Sequence, residues 1–157
     1  MIVRYFDKDD LDLFKEMCRA FYSGGATARE YDEALTKKTF ERVMDHHENL
    51  WGVILIDNDV QMPIGYALIS SYWCNEDGGD VIILDELYIN PINRNKGYAT
   101  TFLSWLESEF SDKAVAITLQ VLTTNEVARK LYSKIGFLSE GFEQMIKELR
   151  PYNNNTK

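Results

Sequence analysis

Arg94, Lys96 and Gly97 sit together in the polar stretch NPINRNKGYA, just where an apolar helical rhythm begins. A helix start exposes unpaired N–H groups and the positive end of the helix dipole. A glycine there removes the Cβ, so a ligand can approach the backbone closely. Two basic side chains add positive charge at the rim. Together these features suit a phosphate or pyrophosphate held on backbone N–H groups. The same three residues also compose ordinary solvated turns, and alone they do not separate the two readings. The remaining reactive residue types point to no metal: Cys18 and Cys74 show no CxxC or metal spacing, and His46 and His47 have no partner spacing. The histidines are expected near the end of a helix, in a surface role.

The elements around this stretch follow from periodicity. IVRYF reads as a first strand. Leu11, Phe14, Cys18 and Phe21 are spaced three or four apart, which predicts an amphipathic helix with Asp7 as its N-cap. Thr27 and Glu30 form a possible capping box for a second helix from Ala28 to about Asp45. Trp51 to Ile56, Ile64 to Cys74 and Val81 to Ile89 read as strands separated by the turns DNDV and NEDGGD. After Gly97, the positions Ala99, Phe102, Leu103, Leu106 and Phe110 fit one face of a helix. AVAITLQVL has the near-continuous apolar character of a strand buried on both faces. Thr123 and Glu126 suggest another capping box, for a helix carrying Val127, Ala128, Leu131 and Ile135, with Gly136 as its C′ residue. FLSEGFEQMIKEL reads as two closing strands around Gly141, and RPYNNNTK as a polar tail. The order is β-α-α-β-β-β-α-β-α-β-β. It predicts an α/β (α+β) fold in which a mixed, mostly antiparallel sheet of about seven strands is flanked by about four helices. The expected organisation is one domain over residues 1–150 with a tail over 151–157.

The chain is acidic, with a formal net charge of -8, which disfavours nucleic acid as a partner and makes a cationic substrate easier to hold. Acidity also serves solubility alone in many proteins. No apolar run approaches the ~20 residues of a membrane span, and no signal peptide opens the chain. Both cysteines are expected as buried thiols in a reducing compartment, so the expected location is cytoplasmic, away from membranes.

With its context, the opening stretch resembles the acetyl-CoA-binding segment of the GNAT superfamily of N-acetyltransferases. That signature is Arg or Gln, two residues, Gly, one residue, then Gly or Ala; here Arg94, Gly97 and Ala99 meet it. The preceding strand resembles the family's L-x-x-L-x-V-x-P pattern through Leu84, Leu87, Ile89 and Pro91. A second family motif is resembled by TTNEVARKLYSKIGF, through Asn125, Ala128, Leu131, Tyr132, Gly136 and Phe137. These motifs cover about residues 81 to 140. The chain departs from the pattern in two small ways: Ala99 stands where many members have glycine, and Asn95 replaces a common glycine after the arginine. The turn at Asn95 must therefore be one that a non-glycine residue can adopt.

The resemblance implies roles. Acetyl-CoA is the expected cosubstrate, with no metal. Its pantetheine arm would lie along the strand Leu87, Tyr88 and Ile89, with Leu87 and Ile89 acting through main-chain groups. Its pyrophosphate would be held by Arg94, Asn95, Lys96, Gly97, Tyr98, Ala99 and Thr100. Asn125 matches a position that often contacts the cofactor, and a helix cap is the alternative. Tyr132 matches the usual general acid: a phenol with a pKa near ~10 can protonate a departing thiolate whose thiol lies near ~8.5. Asp85 and Glu86 are the candidate bases for the acceptor amine. Strand alternation is expected to send them to opposite faces, so that only one serves directly; some polyamine-type members carry an acid at the position matching Asp85, which favours Asp85 over Glu86. The first two helices usually cover the acceptor, which places Tyr22 and Tyr31 as substrate-binding candidates. The implied reaction is direct acetyl transfer in a ternary complex to a primary amine, with a small cationic amine favoured. Protein N-termini or lysines are the alternative acceptors. A catalytically silent CoA-binding sensor is the alternative from another class. A homodimer through the last strands is also implied.

Overall fold

The alternating segments IVRY, LWGVILI, PIGYALISSYWC and GDVIILDELYI form the antiparallel part of one sheet. The computed structural model describes residues 1–149 apart from positions 28, 46, 47 and 142. His46, His47 and the expected tail over 151–157 lie outside the described residues. The strands are β1 (Ile2–Tyr5), β2 (Leu50–Ile56), β3 (Pro63–Cys74), β4 (Gly79–Ile89) and β5 (Ala116–Leu119). The helices are α1 (Leu11–Ser23), α2 (Glu33–Met44), α3 (Tyr98–Phe110) and α4 (Glu126–Lys134). The spatial order β1-β2-β3-β4-β5 equals the chain order. Neighbours are antiparallel up to β4, and β5 joins parallel to β4 after the α3 crossover. The mixed, mostly antiparallel sheet flanked by four helices agrees with the expected class.

Each face of the sheet carries a core. Phe102, Leu103, Leu106 and Phe110 of α3 pack on Val53, Leu55, Ala67, Ile69, Ile82 and Leu84, with Leu131 and Tyr132 of α4 against the same cluster. On the other face Phe14, Met17 and Cys18 of α1 and Phe40 of α2 pack on Phe6, Ile54, Tyr66, Leu68 and Tyr88. Phe14 is fully buried and touches three aromatic rings, Phe6, Phe40 and Tyr66, at centroid distances of 5.0, 6.2 and 5.1 Å. Truncating such a residue to alanine costs about 3–5 kcal/mol. Gly65 is required by packing: a Cβ there would lie 2.1 Å from the Tyr88 carbonyl oxygen.

Several boundaries differ from the expectation. Asp7 caps a 3-10 turn, Lys8–Asp10, that leads into α1. The second helix starts at Glu33, because Asp32 accepts from the Ala34 and Leu35 N–H groups; the Thr27 hydroxyl accepts from Arg29 N–H, in a local turn. The fourth helix is capped by Asn125 in place of Thr123. Gly136 takes the expected C′ position, with a φ of 102°. Cys18 is buried as expected, but Cys74, at the end of β3, is only half-buried, and both are free thiols. The sheet has five strands rather than about seven: the described residues of 138–149 form none. An alternating pattern becomes a strand only where it finds a pleated surface to half-bury it. Here Leu138, Met145 and Leu149 remain 88–90% exposed. The segment meets the rest of the fold through Gln120 with Gln144 and through Arg29 with Glu148, 3.6 Å apart.

Candidate active site

Asp85 interrupts the pairing of β4. Leu68 faces Glu86 and Ile69 faces Leu84, so Asp85 is the extra residue of a β-bulge. Leu84 and Leu87 both pack into the α3-side core. The two residues between them therefore turn to the α1–α2 side together, which corrects the expectation of opposite faces. The charge of Asp85 is felt there by both Glu86 and Tyr22.

Glu86 is the organised carboxylate of the pair. The Tyr22 hydroxyl donates to its Oε1 at 2.9 Å, and the fully buried Tyr66 hydroxyl donates to its Oε2 at 2.6 Å. Burial raises the Glu86 pKa against the lowering effect of these two donors. Burial and the Glu86 charge push both tyrosines well above the usual phenol range, so they stay neutral donors. Asp85 is open to solvent at its rim, yet the surrounding protein raises its pKa too. Tyr22 and Glu86 line a cleft of about 280 Å3 with Phe14, Thr36 and Leu68; Glu30 and Asp32 add acidic groups to its wall, and Arg29 adds a basic one. Tyr31 stands behind it, edge-on to Tyr22 at 6.4 Å and under the Arg19 guanidinium at 5.1 Å. Its buried hydroxyl has no hydrogen-bond partner among the described residues. Sequence reasoning missed Tyr66; it lies 20 residues from Glu86, and only its strand alternation hinted at a buried phenol.

On the other edge of β4 a slot opens. β5 pairs with β4 only from Val81–Ala116 to Leu84–Leu119, and beyond the bulge β4 has no neighbour on that side among the described residues. Asn90 N–H donates to Ile64 O across β3. By antiparallel alternation Tyr88 also turns its main chain to β3, whereas Leu87 and Ile89 turn theirs into the slot. The Tyr88 ring is buried in the α1–α2 core, 5.9 Å from Tyr66. At the end of the slot Arg94 Nε donates to Ile89 O at 2.9 Å. Asn95 and Gly97 are left-handed, with φ of 61° and 82°, so asparagine supplies the conformation that glycine often provides. A Cβ at Gly97 would meet nothing within 4 Å, and the α3 N-terminus has no side-chain cap. The loop is thus an open cradle of N–H groups with Arg94, Lys96 and Thr100 exposed around it, and it fits a pyrophosphate. Ala99 is half-buried on α3, and Tyr98 turns its hydroxyl to Asp57. Asn125 Oδ1 accepts from Ala128 N–H at 3.2 Å, so the helix-cap role is real. Tyr132 is half-buried on α4 beside Phe137, at 5.7 Å, and burial raises its pKa. Among the described residues no cluster of three metal-ligating side chains occurs, and no helix is long and apolar enough to cross a membrane.

Residues 11–137 match the family model described as Acetyltransferase (GNAT) family. The chain belongs to the GNAT acetyltransferase family. GNAT enzymes take their acetyl group from acetyl-CoA, and this chain is an N-acetyltransferase of that family. The D-amino-acid N-acetyltransferase HPA3 of Saccharomyces cerevisiae is 21% identical over 141 residues, covering 89% of this chain and 86% of the relative. Among solved GNAT folds, AAC(6')-Iy in complex with the bisubstrate analogue CoA-S-monomethyl-acetylneamine has a TM-score of 0.75 at 17% identity, covering 96% of this chain and 98% of its own. The ribosomal-protein-alanine N-acetyltransferase of Brucella melitensis biovar Abortus 2308 has a TM-score of 0.74 at 16% identity, covering 94% and 100%.

Proposed function

We propose that this GNAT enzyme acetylates the primary amine of a small cationic acceptor by direct transfer in a ternary complex, with Glu86 as base and Tyr132 as acid. The observation that carries this reading is the Glu86 carboxylate, set into the wall of the α1–α2 cleft by two tyrosine donors. Bound acetyl-CoA supplies the thioester to be attacked. Leu87 and Ile89 offer main-chain groups to its arm, the loop from Arg94 to Thr100 holds its diphosphate, and Asn125 borders it. An alkyl ammonium with a pKa near 10.4 costs about 4.6 kcal/mol to deprotonate at neutral pH. Glu86 takes that proton at Oε1 or Oε2, and its raised pKa makes it a better acceptor than an ordinary glutamate. Asp85 adds negative charge beside it and helps hold the cation. Tyr132 Oη, kept protonated by burial, gives its proton to the departing sulfur. No cysteine lies in a motif position, so no acetyl-cysteine step is invoked.

The cleft wall, with three carboxylates, Glu30, Asp32 and Glu86, against one cation, Arg29, supports a cationic acceptor. Tyr22 contacts it, and Tyr31 backs Tyr22. The test is an amine panel with acetyl-CoA, following release of free thiol. Small polyamines and amino sugars should turn over faster than peptide N-termini or anionic amines. CoA binding with no thiol release across the panel would leave a silent binding domain instead. The exposed apolar side chains of 138–149 support a homodimer through that segment, measurable by sedimentation. The two free thiols fit a cytoplasmic setting.

A further inference from the structure

Among the described residues Asp57 is one of three buried polar or charged residues and is 8% exposed. The other two have local explanations: Asp10 takes two hydrogen bonds from Arg4, and Thr36 donates to Asp32 O. Asp57 follows β2 and folds the β2–β3 turn around itself. Its Oδ1 accepts from Asp59 and Val60 N–H at 2.8 and 3.4 Å, its N–H donates to Met62 O, and its own carbonyl accepts from Gln61 N–H. That turn is complete with one side-chain oxygen, and an asparagine would serve it. The second oxygen, Oδ2, accepts from the Tyr98 hydroxyl at 2.5 Å, joining residues 41 positions apart. The Tyr98 hydroxyl first, and then the turn N–H groups, hold the Asp57 carboxyl below the usual carboxylate range, so the contact stays charged at neutral pH.

Tyr98 is the first residue of α3 and follows the left-handed Gly97, so it fixes the direction in which the helix leaves the loop. A carboxylate near an anion cradle repels the anion and draws on Lys96, whose charge acts on Asp57. Its presence there needs an offsetting use. We propose that Asp57 and Tyr98 are positioning residues for the acetyl-CoA diphosphate: their hydrogen bond latches the first turn of α3 to the rigid β2–β3 hairpin and aims its N–H groups into the cradle. The proposal rests on the loop from Arg94 to Thr100 being the diphosphate site.

The test compares Tyr98→Phe and Asp57→Asn in the full chain. Tyr98→Phe removes only the hydroxyl. Calorimetry should show CoA affinity falling about tenfold, with a matching rise in KM for acetyl-CoA and no change in KM for the acceptor amine. Asp57→Asn keeps the turn through Oδ1 and can donate Nδ2–H to the Tyr98 oxygen, so its CoA affinity should fall less than about threefold. S-acetylpantetheine, which lacks the diphosphate, should bind wild type and Tyr98→Phe alike. A folded Tyr98→Phe protein with wild-type CoA affinity overturns the latch, as does an equal loss toward S-acetylpantetheine. If Tyr98→Phe does not fold, Asp57→Ser decides: its single hydroxyl oxygen can still cap the turn but leaves nothing facing Tyr98, and wild-type CoA affinity in the folded Asp57→Ser protein overturns the latch. A wild-type protein that binds CoA no better than pantetheine overturns the loop reading itself, and the latch with it.

Discussion

Replacing Glu86 by glutamine isolates its charge, because the side-chain shape and most of the hydrogen bonding survive. The new amide can accept from one of the two tyrosines through its oxygen. The other tyrosine hydroxyl can rotate and accept from the amide nitrogen, so Tyr22 at 2.9 Å and Tyr66 at 2.6 Å keep partners. The base is lost, and kcat/KM should fall by about 10²–10⁴-fold, the usual contribution of a positioned acid or base. That equals roughly 3–5 kcal/mol of transition-state stabilisation. The pH profile should change as well. In the wild type activity falls as pH drops through the raised Glu86 pKa. In the variant that limb disappears, and the rate climbs about tenfold per pH unit, following the neutral fraction of an amine with a pKa near 10.4. Stability should move the other way. The folded state binds the Glu86 proton more tightly than the unfolded chain does, because burial raises its pKa. That contribution is complete below the unfolded glutamate value of about 4.3 and disappears as pH rises through the raised folded value. Above the raised folded value the wild type carries an ionised group in a place that disfavours it, so there Glu86→Gln should melt at or above the wild-type temperature. Thiol release against pH and thermal melts at pH 5 and 7 check both halves. A variant within about threefold of wild-type kcat/KM, with the acid limb intact, would refute Glu86 as the base and turn attention to Asp85.

Tyr132→Phe should keep the fold and CoA affinity, since its ring is what packs beside Phe137. Its kcat and kcat/KM should fall together by about 10²–10⁴-fold, read where chemistry limits the rate. Gly97→Ala places a methyl group in the open cradle at a φ of 82°, so it should lower stability by about 1–2 kcal/mol and weaken CoA binding by calorimetry.

The parts of the fold that were legible in the sequence are those set by local spacing. Phe102, Leu103, Leu106 and Phe110 announced the buried face of α3, and Gly136 announced the end of α4. Helix starts were less legible because several capping patterns compete within a few residues: Thr27 and Asp32 both accept from nearby N–H groups, and only the structure shows where the helix begins. The bulge at Asp85 was hidden, since a one-residue slip is fixed by β3 rather than by β4 itself. For the same reason the shared face of Asp85 and Glu86, and the Tyr66 donor, were invisible from spacing alone. The last two expected strands show the limit of alternation as a signal. Met145 and Leu149 have the pattern of a strand, yet no surface among the described residues buries them.

The short seam between β4 and β5 makes the two halves of the molecule unequal in cohesion. β2, β3 and β4 form a meander of near neighbours along the chain, with pairing between β3 and β4 from Gly65–Ile89 to Cys74–Gly79. β5 is held to β4 by only four residues, and their junction ends where the slot begins. Local opening is cheapest where few ladder bonds must break, so the β5–α4 side should open more readily than the β2–β3–β4 meander, as should the equally short β1 seam. A ligand seated in the slot would act as the strand the seam lacks, tying both halves through the main chain of Leu87 and Ile89. At a hundredfold excess over its Kd such a ligand adds about 2.7 kcal/mol to the native state. Amide hydrogen exchange should register that gain on the β5–α4 side, because the meander is already closed without it.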